Sequence, residues 1–145
     1  MKNAKSYPQL IARLSLGIGL IFPVMDRFGL RGAPGTKGVN WGNWENFVNY
    51  TNYILPIFNH GLSNLMGIFV TVAEIAFGIG LVLGWKTKFM AWGTAILTIC
   101  FGLCMATFLG LSSPFAYPVF VFTGAALLLA CSEEYRWSID ELNGK

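Results

Sequence analysis

Residues 65–85 read LMGIFVTVAEIAFGIGLVLGW, an apolar stretch that contains a single acidic residue, Glu74, close to its centre. A stretch of about 20 apolar residues is long enough for an α-helix to cross the ~30 Å hydrocarbon core of a bilayer. An ionised carboxylate at that depth costs about 2.5–3.5 kcal/mol on insertion scales, so it persists where it is partnered, protonated or next to a wet cavity. Glu74 is therefore the first candidate for a functional residue.

The composition of the whole chain is that of a membrane protein. Of its 145 residues 54% are hydrophobic and 12% are charged, and the mean hydropathy is +0.56. The apolar residues predict four transmembrane helices, at about 9–28, 64–85, 89–111 and 115–131. Barrel strands would instead show alternating apolar and polar residues. The expected fold is all-α: an integral membrane four-helix antiparallel bundle forming a single domain over residues 1–145, with an outer loop at about 29–63 and a tail at 132–145.

The basic residues predict the orientation of this bundle. Four spans would place six of them on the side of both termini (Lys2, Lys5, Lys86, Lys88, Arg136 and Lys145) and three on the other side (Arg27, Arg31 and Lys37). An excess of Lys and Arg marks the cytoplasmic face, so we expect a bacterial cytoplasmic membrane protein with both termini in the cytoplasm. A cleaved signal peptide is the competing interpretation of the first block, but no A-x-A-like site follows it. The scattered basic residues do not favour nucleic acid as a partner.

The outer loop contains an internal repeat. Asparagine is followed by an aromatic residue five times at a spacing of three, from Asn40-Trp41 to Asn52-Tyr53. The apolar spacing from Trp44 onwards predicts a short interfacial helix at about 43–58, interrupted by Pro56. Its aromatic residues are typical of a belt at headgroup depth. The alternatives are a lid in which Trp41 and Trp44 stack on a quinone, and sugar binding.

On the second span, small and polar residues share one helical face with Glu74. Gly67, Thr71, Glu74 and Gly78 are spaced by four, three and four residues, which puts them in one stripe that should face the bundle interior. The candidate partner of Glu74 in the first span is Arg13, alone or in a buried network with Arg27, which follows Asp26 at the outer end of that span. Such an acid either ties two spans together or serves in proton transfer or ligand binding.

The remaining candidates for chemistry are few. His60, the only histidine, lies in the outer loop; it is either a surface residue or one that hydrogen-bonds a quinone carbonyl or transfers a proton. Cys100, Cys104 and Cys131 form no disulfide framework or zinc signature, and we expect them to be buried packing residues. No metal is expected, because one histidine and dispersed thiols do not make a ligand set.

Two segments of the chain resemble the DoxX family of small four-helix membrane proteins, which includes the DoxD-type subunits. They are residues 13–22, RLSLGIGLIF, and residues 74–88, EIAFGIGLVLGWKTK, an acid followed by spaced glycines and a basic turn. The resemblance implies a four-helix membrane fold, and it draws attention to Arg13 and Glu74. It also implies an association with thiosulfate:quinone oxidoreduction, in which DoxD-type members act alongside a DoxA-type subunit. Arg27 stands where family members often carry a lysine.

Together these observations predict a membrane subunit of a quinone-linked redox system. Glu74 and Arg13 are the candidate catalytic residues, and the candidate cofactor-binding residues are Trp41, Trp44, His60, Asp26 and Arg27. A quinone is the candidate cofactor, and the expected partners are the lipid bilayer and either a protein partner subunit or a second copy of the chain. The alternative is a non-catalytic membrane anchor or assembly partner of a larger complex. A small-ligand carrier is disfavoured because no pair of broken helices is evident.

Overall fold

The computed structural model describes residues 6–144 of the chain, and within that range the structure is helical with no strand. Lys2, Lys5 and Lys145, three of the basic residues used to predict the orientation, lie outside the described residues. The helices are α1 (Ser6–Arg27), α2 (Trp44–Ile54), α3 (His60–Leu83), α4 (Thr87–Phe108), α5 (Ser113–Ala116), α6 (Val119–Ala130) and α7 (Ile139–Asn143).

Three of the described helices are long and apolar enough to cross a membrane: Tyr7–Arg27, His60–Leu83 and Thr87–Phe108. Only about a third of the residues in each of these helices are buried, and the exposed side chains include large apolar ones such as Phe69, Phe89 and Ile96. Proteins that are soluble in water rarely expose apolar surface of this extent. The exposed faces are consistent with contact to a lipid bilayer, and the chain is therefore a membrane protein.

The fourth predicted span, at 115–131, is not one continuous helix. The short helix α5 ends at Ala116, and α6 begins only at Val119, after Pro118. The residue before a proline is driven out of the helical region, and Tyr117 is accordingly extended, with φ −102° and ψ 113°. With 12 residues, α6 is about 18 Å long, which is shorter than the hydrocarbon core.

The helix predicted in the outer loop is present as α2, with different bounds. It begins at Trp44 after Asn43, whose side chain accepts a hydrogen bond from the backbone N–H of Asn46 and so caps the helix. It ends at Ile54, because Leu55 precedes Pro56 and leaves the helical region. In an α-helix the repeat at a spacing of three does not form a single face. Phe47 is consequently buried while Tyr53 is exposed.

Helix α1 packs on α3, and α4 packs on α6. Gly17 and Gly78 bring the first pair together: a Cβ atom on Gly17 would lie 2.8 Å from the carbonyl oxygen of Gly78, and one on Gly78 would lie 3.0 Å from the carbonyl oxygen of Gly17. Only glycine allows backbones to approach so closely. The α4–α6 pair is joined by a hydrogen bond of 2.8 Å between the hydroxyl groups of Thr98 and Thr123.

The bundle has two distinct ends. At the end that we call the loop end lie the end of α1, the loop at 28–43, and α2. At the tail end, the beginning of α1, the turn between α3 and α4, and the C-terminal segment 135–143 come together. There Asp140 accepts hydrogen bonds from the backbone N–H groups of Lys86 and Thr87, at 2.7 Å each. A residue more than fifty positions away thus caps the beginning of α4, where the N-cap position carries Lys86 and makes no side-chain cap of its own.

Candidate functional site

Glu74 lies on the buried face of α3, inside the bundle. The predicted stripe is confirmed, since Gly67, Thr71, Glu74 and Gly78 are all buried. The carboxylate of Glu74 forms an ion pair with the guanidinium group of Arg27, the last residue of α1, and the Arg27 and Glu74 residues are 2% and 5% exposed. Arg27 Nη1 also donates a hydrogen bond of 2.7 Å to the hydroxyl group of Thr71, one turn from Glu74.

The antiparallel arrangement of α1 and α3 explains this pairing. Side chains on an α-helix tilt towards the N-terminus of their own helix. Arg27, at the loop end of α1, therefore points back into the bundle, whereas Glu74 points along α3 towards the loop end. The two side chains converge, and the long arginine spans the offset that separates their backbones.

Two aromatic rings from the loop end cover the guanidinium group. The Cζ atom of Arg27 lies 3.9 Å from the centroid of the Phe47 ring and 5.5 Å from that of Trp41. The two rings pack edge to face, with their centroids 5.2 Å apart. A guanidinium group over an aromatic face gains about 0.5–2 kcal/mol, with the larger values where water is excluded. The rings therefore both stabilise the cation and separate the ion pair from solvent.

Asp26, next to Arg27, is fully buried and holds the loop rather than the ion pair. Its Oδ2 atom accepts hydrogen bonds from the backbone N–H groups of Asn40 at 2.8 Å and Trp41 at 3.2 Å. Arg31 approaches the same oxygen at 3.9 Å and donates to the carbonyl oxygen of Gly38 at 2.6 Å. Asp26 thus fixes the backbone from which the Trp41 ring reaches Arg27.

Three buried polar atoms at this site have no hydrogen-bond partner among the described residues: Nε of Arg27, a donor, Oδ1 of Asp26, an acceptor, and Oε2 of Glu74, whose described contact is the ion pair with Arg27. Buried polar groups are almost always satisfied by protein, water or a ligand. The loop end therefore has the capacity to hold small polar groups that the protein itself does not provide.

Arg13 does not join this site, although the sequence made it the candidate partner of Glu74. Its guanidinium group lies at the tail end, where Nη2 donates to the carbonyl oxygen of Trp137 at 2.6 Å and Nη1 to that of Arg136 at 3.5 Å. Arg13 is 1% exposed. The tilt that carries Arg27 into the bundle carries Arg13 away from Glu74, because both residues point towards the beginning of α1.

The other predicted cofactor-binding residues differ in their distance from the ion pair. Trp44 is separated from Arg27 by the Phe47 ring. It packs on Phe47 with ring centroids 5.4 Å apart, and its indole N–H donates to Asn64 Oδ1 at 2.8 Å. His60 is exposed, and its Nε2 atom lies 3.2 Å from Oε1 of Glu45. The structure therefore brings Arg27, Glu74 and Trp41 together, keeps Asp26 and Trp44 adjacent, and leaves His60 on the surface.

Aromatic contacts continue outward from this site. Trp41 also contacts Tyr50, with ring centroids 5.8 Å apart. Burial raises the pKa of the Tyr50 phenol, and the neighbouring Tyr117 and Tyr53 raise it further. Since the ordinary value is about 10, Tyr50 stays neutral at physiological pH and adds no charge close to Arg27.

Some residues that build the two ends were not predicted as site residues. Phe47 belongs to the repeat, and the only hint of its role is that Gly67 leaves room for it: a Cβ atom there would lie 3.0 Å from the Phe47 ring. The tail carries a clearer signal. Ser138 and Glu141 match the S-x-x-E pattern of a capping box. Glu141 N donates to Ser138 Oγ at 3.1 Å, and Glu141 Oε2 accepts a hydrogen bond of 2.8 Å from the N–H of Trp137, the residue before the N-cap.

The three cysteines are free and are not buried packing residues as predicted. Cys100 and Cys131 are exposed and Cys104 is half-buried, because they lie on the outward faces of their helices rather than on the faces that meet in the bundle. Among residues 6–144, no group of three or more histidine, cysteine, aspartate or glutamate side chains is arranged to hold a metal ion.

Comparison of the sequence with family models and curated proteins, and of the structure with solved structures, gave no match. The resemblance to the DoxX family therefore stays an expectation from the two segments that carry it.

Proposed function

We propose that this protein is a membrane subunit of a quinone-linked redox system and that the Arg27–Glu74 pair is its polar site. The observation that carries the proposal is the position of this pair. It lies inside an apolar bundle, beneath Phe47 and Trp41, and beside buried polar atoms of Arg27 and Asp26 that lack partners among the described residues. Charged groups inside a membrane bundle are costly and usually mark a functional site.

The residues at this site suit a quinone headgroup. Arg27 Nε is a free donor for a carbonyl oxygen, and the aromatic rings offer flat apolar faces on which a ring can stack. A bound quinone would supply the capacity to take up two electrons and two protons. Arg27 would orient the headgroup, Glu74 would hold or release a proton at its carboxyl group, and Trp41 would exclude water.

The membrane arrangement is part of the proposal. In it, α6 crosses the membrane as a fourth, short span with α5 at its entrance, which requires modest thinning of the bilayer. Helix α2 lies in the interface, both termini are cytoplasmic, and the membrane is the bacterial cytoplasmic membrane. Thiosulfate:quinone oxidoreduction, with electrons supplied through a partner subunit, is the activity that the DoxX resemblance suggests.

The second candidate is a non-catalytic anchor of a larger complex, and one observation favours it. The Arg27 side chain contacts Glu74 and Thr71 on α3 and Phe47 on α2, so it ties three helices together without any ligand. Breaking a buried ion pair by removing one partner costs about 3–5 kcal/mol, which is enough to make the pair essential for folding alone.

Quinone binding to the purified protein in lipid nanodiscs separates the two candidates. The readout is quenching of tryptophan fluorescence by a short-chain quinone, for the wild type and for Glu74→Gln. The matched control is Glu134→Gln, because Glu134 is exposed at the tail end. If the proposal is correct, the wild type and the control bind quinone, and Glu74→Gln weakens binding about tenfold or more, because Arg27 loses the carboxylate that holds its guanidinium group in place to donate to the headgroup. A wild type that binds no quinone, with Glu74→Gln lowering only stability, would favour the anchor.

A further inference from the structure

The site at the loop end is covered by a loop whose two ends meet. Residues 29–42, which we call the gate loop, begin and end with glycines in the left-handed region, at φ +71° for Gly29 and +68° for Gly42. A Cβ atom on Gly29 would lie 2.9 Å from the carbonyl oxygen of Gly42. A compact surface loop of roughly 6–16 residues with adjacent ends is an Ω-loop, and such loops are often functional.

The middle of the gate loop packs against one of the loop's own ends: a Cβ atom on Gly42 would lie 2.5 Å from the backbone nitrogen of Pro34. This middle, residues 33–38, is exposed, and a Cβ atom on Gly35 would meet nothing within 4 Å. Few buried contacts and an exposed backbone are the features of segments that open at low free energy. Side-chain hydrogen bonds to the loop come from Asp26 and Arg31, and from Asn46 of α2, whose Nδ2 donates to the carbonyl oxygen of Trp41 at 2.9 Å.

Asp26 makes the closing contacts at the end of the loop that carries Trp41. Its carboxylate accepts hydrogen bonds from the backbone N–H groups of Asn40 and Trp41. Asp26 is fully buried, and no described contact joins it to Glu74 or to the guanidinium group of Arg27. Arg31 makes a second set of contacts that stabilise the closed loop. Its Nη1 atom lies 3.9 Å from Asp26 Oδ2, its Nη2 atom donates to the carbonyl oxygen of Gly38 at 2.6 Å, and its guanidinium group stacks on Phe22 with Cζ 3.8 Å from the ring centroid.

We propose that the gate loop controls access to the Arg27–Glu74 site from the loop end, and that Asp26 is the positioning residue that holds the gate shut. When the bonds to Asn40 and Trp41 break, the Trp41 ring leaves Arg27 while Phe47 stays in α2, and the part of the site that Trp41 covered opens to amphipathic molecules whose polar headgroup arrives from that side of the membrane. This inference rests on the proposed function for the identity of the ligand, but not for the movement of the loop.

The movement is tested without any ligand. The purified protein in nanodiscs is treated with a water-soluble carbodiimide and a small amine, and the labelled fraction of Glu74 is measured by mass spectrometry. Hydrogen–deuterium exchange of the amides in residues 39–42 reports on the loop itself. We expect Asp26→Ala to raise both quantities about tenfold or more, because it removes the hydrogen-bonded carboxylate of the closed conformation.

Three variants make the test specific. Asp26→Asn removes the charge but keeps a side-chain oxygen that can accept from both N–H groups, so it should restore most of the protection. If the effect of Asp26→Ala came only from the loss of the buried charge, Asp26→Asn would show the same effect. Arg31→Gln, which leaves the bonds of Asp26 in place, should give a smaller rise. Asp140→Ala is the matched control: Asp140 also accepts hydrogen bonds from two backbone N–H groups, but at the tail end, and its loss should leave the labelling of Glu74 at the wild-type level.

The outcomes are distinguishable from those of the quinone experiment. Glu74 labelling that stays at the wild-type level in both Asp26→Ala and Arg31→Gln would overturn the gate, and so would an equal rise in Asp140→Ala. If the wild type binds no quinone but Asp26→Ala exposes Glu74, the gate is supported and the quinone is not its ligand. If quinone binds and no variant alters labelling or exchange, the proposed function is supported and the gate is wrong.

Discussion

At the scale of single residues, Arg13 and Arg27 show how one geometric rule produces two different roles. They belong to the same helix, and the side chains of both tilt towards its beginning. That direction takes Arg27 towards the middle of the bundle, to Glu74, and takes Arg13, which is also buried, towards the tail end, to the carbonyl oxygens of residues 136 and 137. The sequence identified Glu74 and both arginines, but their spacing along α1 did not reveal which one reaches the acid.

Arg13 is therefore predicted to hold the tail rather than the site. In Arg13→Gln we expect faster hydrogen–deuterium exchange in residues 135–143, because the short amide side chain cannot reach both carbonyl oxygens. Glu74 labelling by carbodiimide should stay at the wild-type level, since Arg13 has no contact with the loop end. Faster labelling of Glu74 with an unchanged tail would contradict this assignment.

At the scale of elements, the tight crossing of α1 and α3 positions the ion pair. Gly17 and Gly78 set this crossing, and a larger side chain at either position would push the two helices apart. Gly124 in α6 is a matched control, because a Cβ atom there would meet nothing within 4 Å.

Gly78→Val is accordingly expected to lower the free energy of unfolding by about 1–3 kcal/mol, the usual cost of overpacking. Gly124→Val should be neutral or stabilising by up to about 0.5 kcal/mol, because valine has a higher helix propensity than glycine. Thermal unfolding in the same detergent, followed by circular dichroism, measures both. Equal losses in the two variants would mean that α1 and α3 do not meet at these glycines.

The same scale shows what the sequence could and could not predict. The stripe on α3 was predictable because its residues follow helical spacing. Helix α2 was predictable because Asn43 caps its beginning and Pro56 marks its end. The break before α6 follows from Pro118, although hydropathy alone suggested one span at 115–131. The capping of α4 by Asp140 was not predictable, since neither its sequence separation nor the composition of the tail points to the turn at 84–86.

At the scale of the whole molecule, the proposed topology predicts which residues face which compartment. With both termini in the cytoplasm, Lys37 in the gate loop faces the periplasm and the C-terminal segment does not. A single cysteine at position 37, in a background where the three native cysteines are replaced by alanine, should react with a membrane-impermeant maleimide in intact cells. A cysteine at position 141 should react only after the cells are permeabilised, and the reverse pattern would invert the orientation.

Arg27 and Glu74 form one buried ion pair that joins α1 to α3 inside the bundle. A double-mutant cycle in detergent, comparing the unfolding free energies of the wild type, Arg27→Gln, Glu74→Gln and the double variant, measures their coupling directly. Each single variant should lose about 3–5 kcal/mol. The double variant should lose little more than either single variant, which gives a coupling of about 2 kcal/mol or more. Losses that simply add would contradict the pairing.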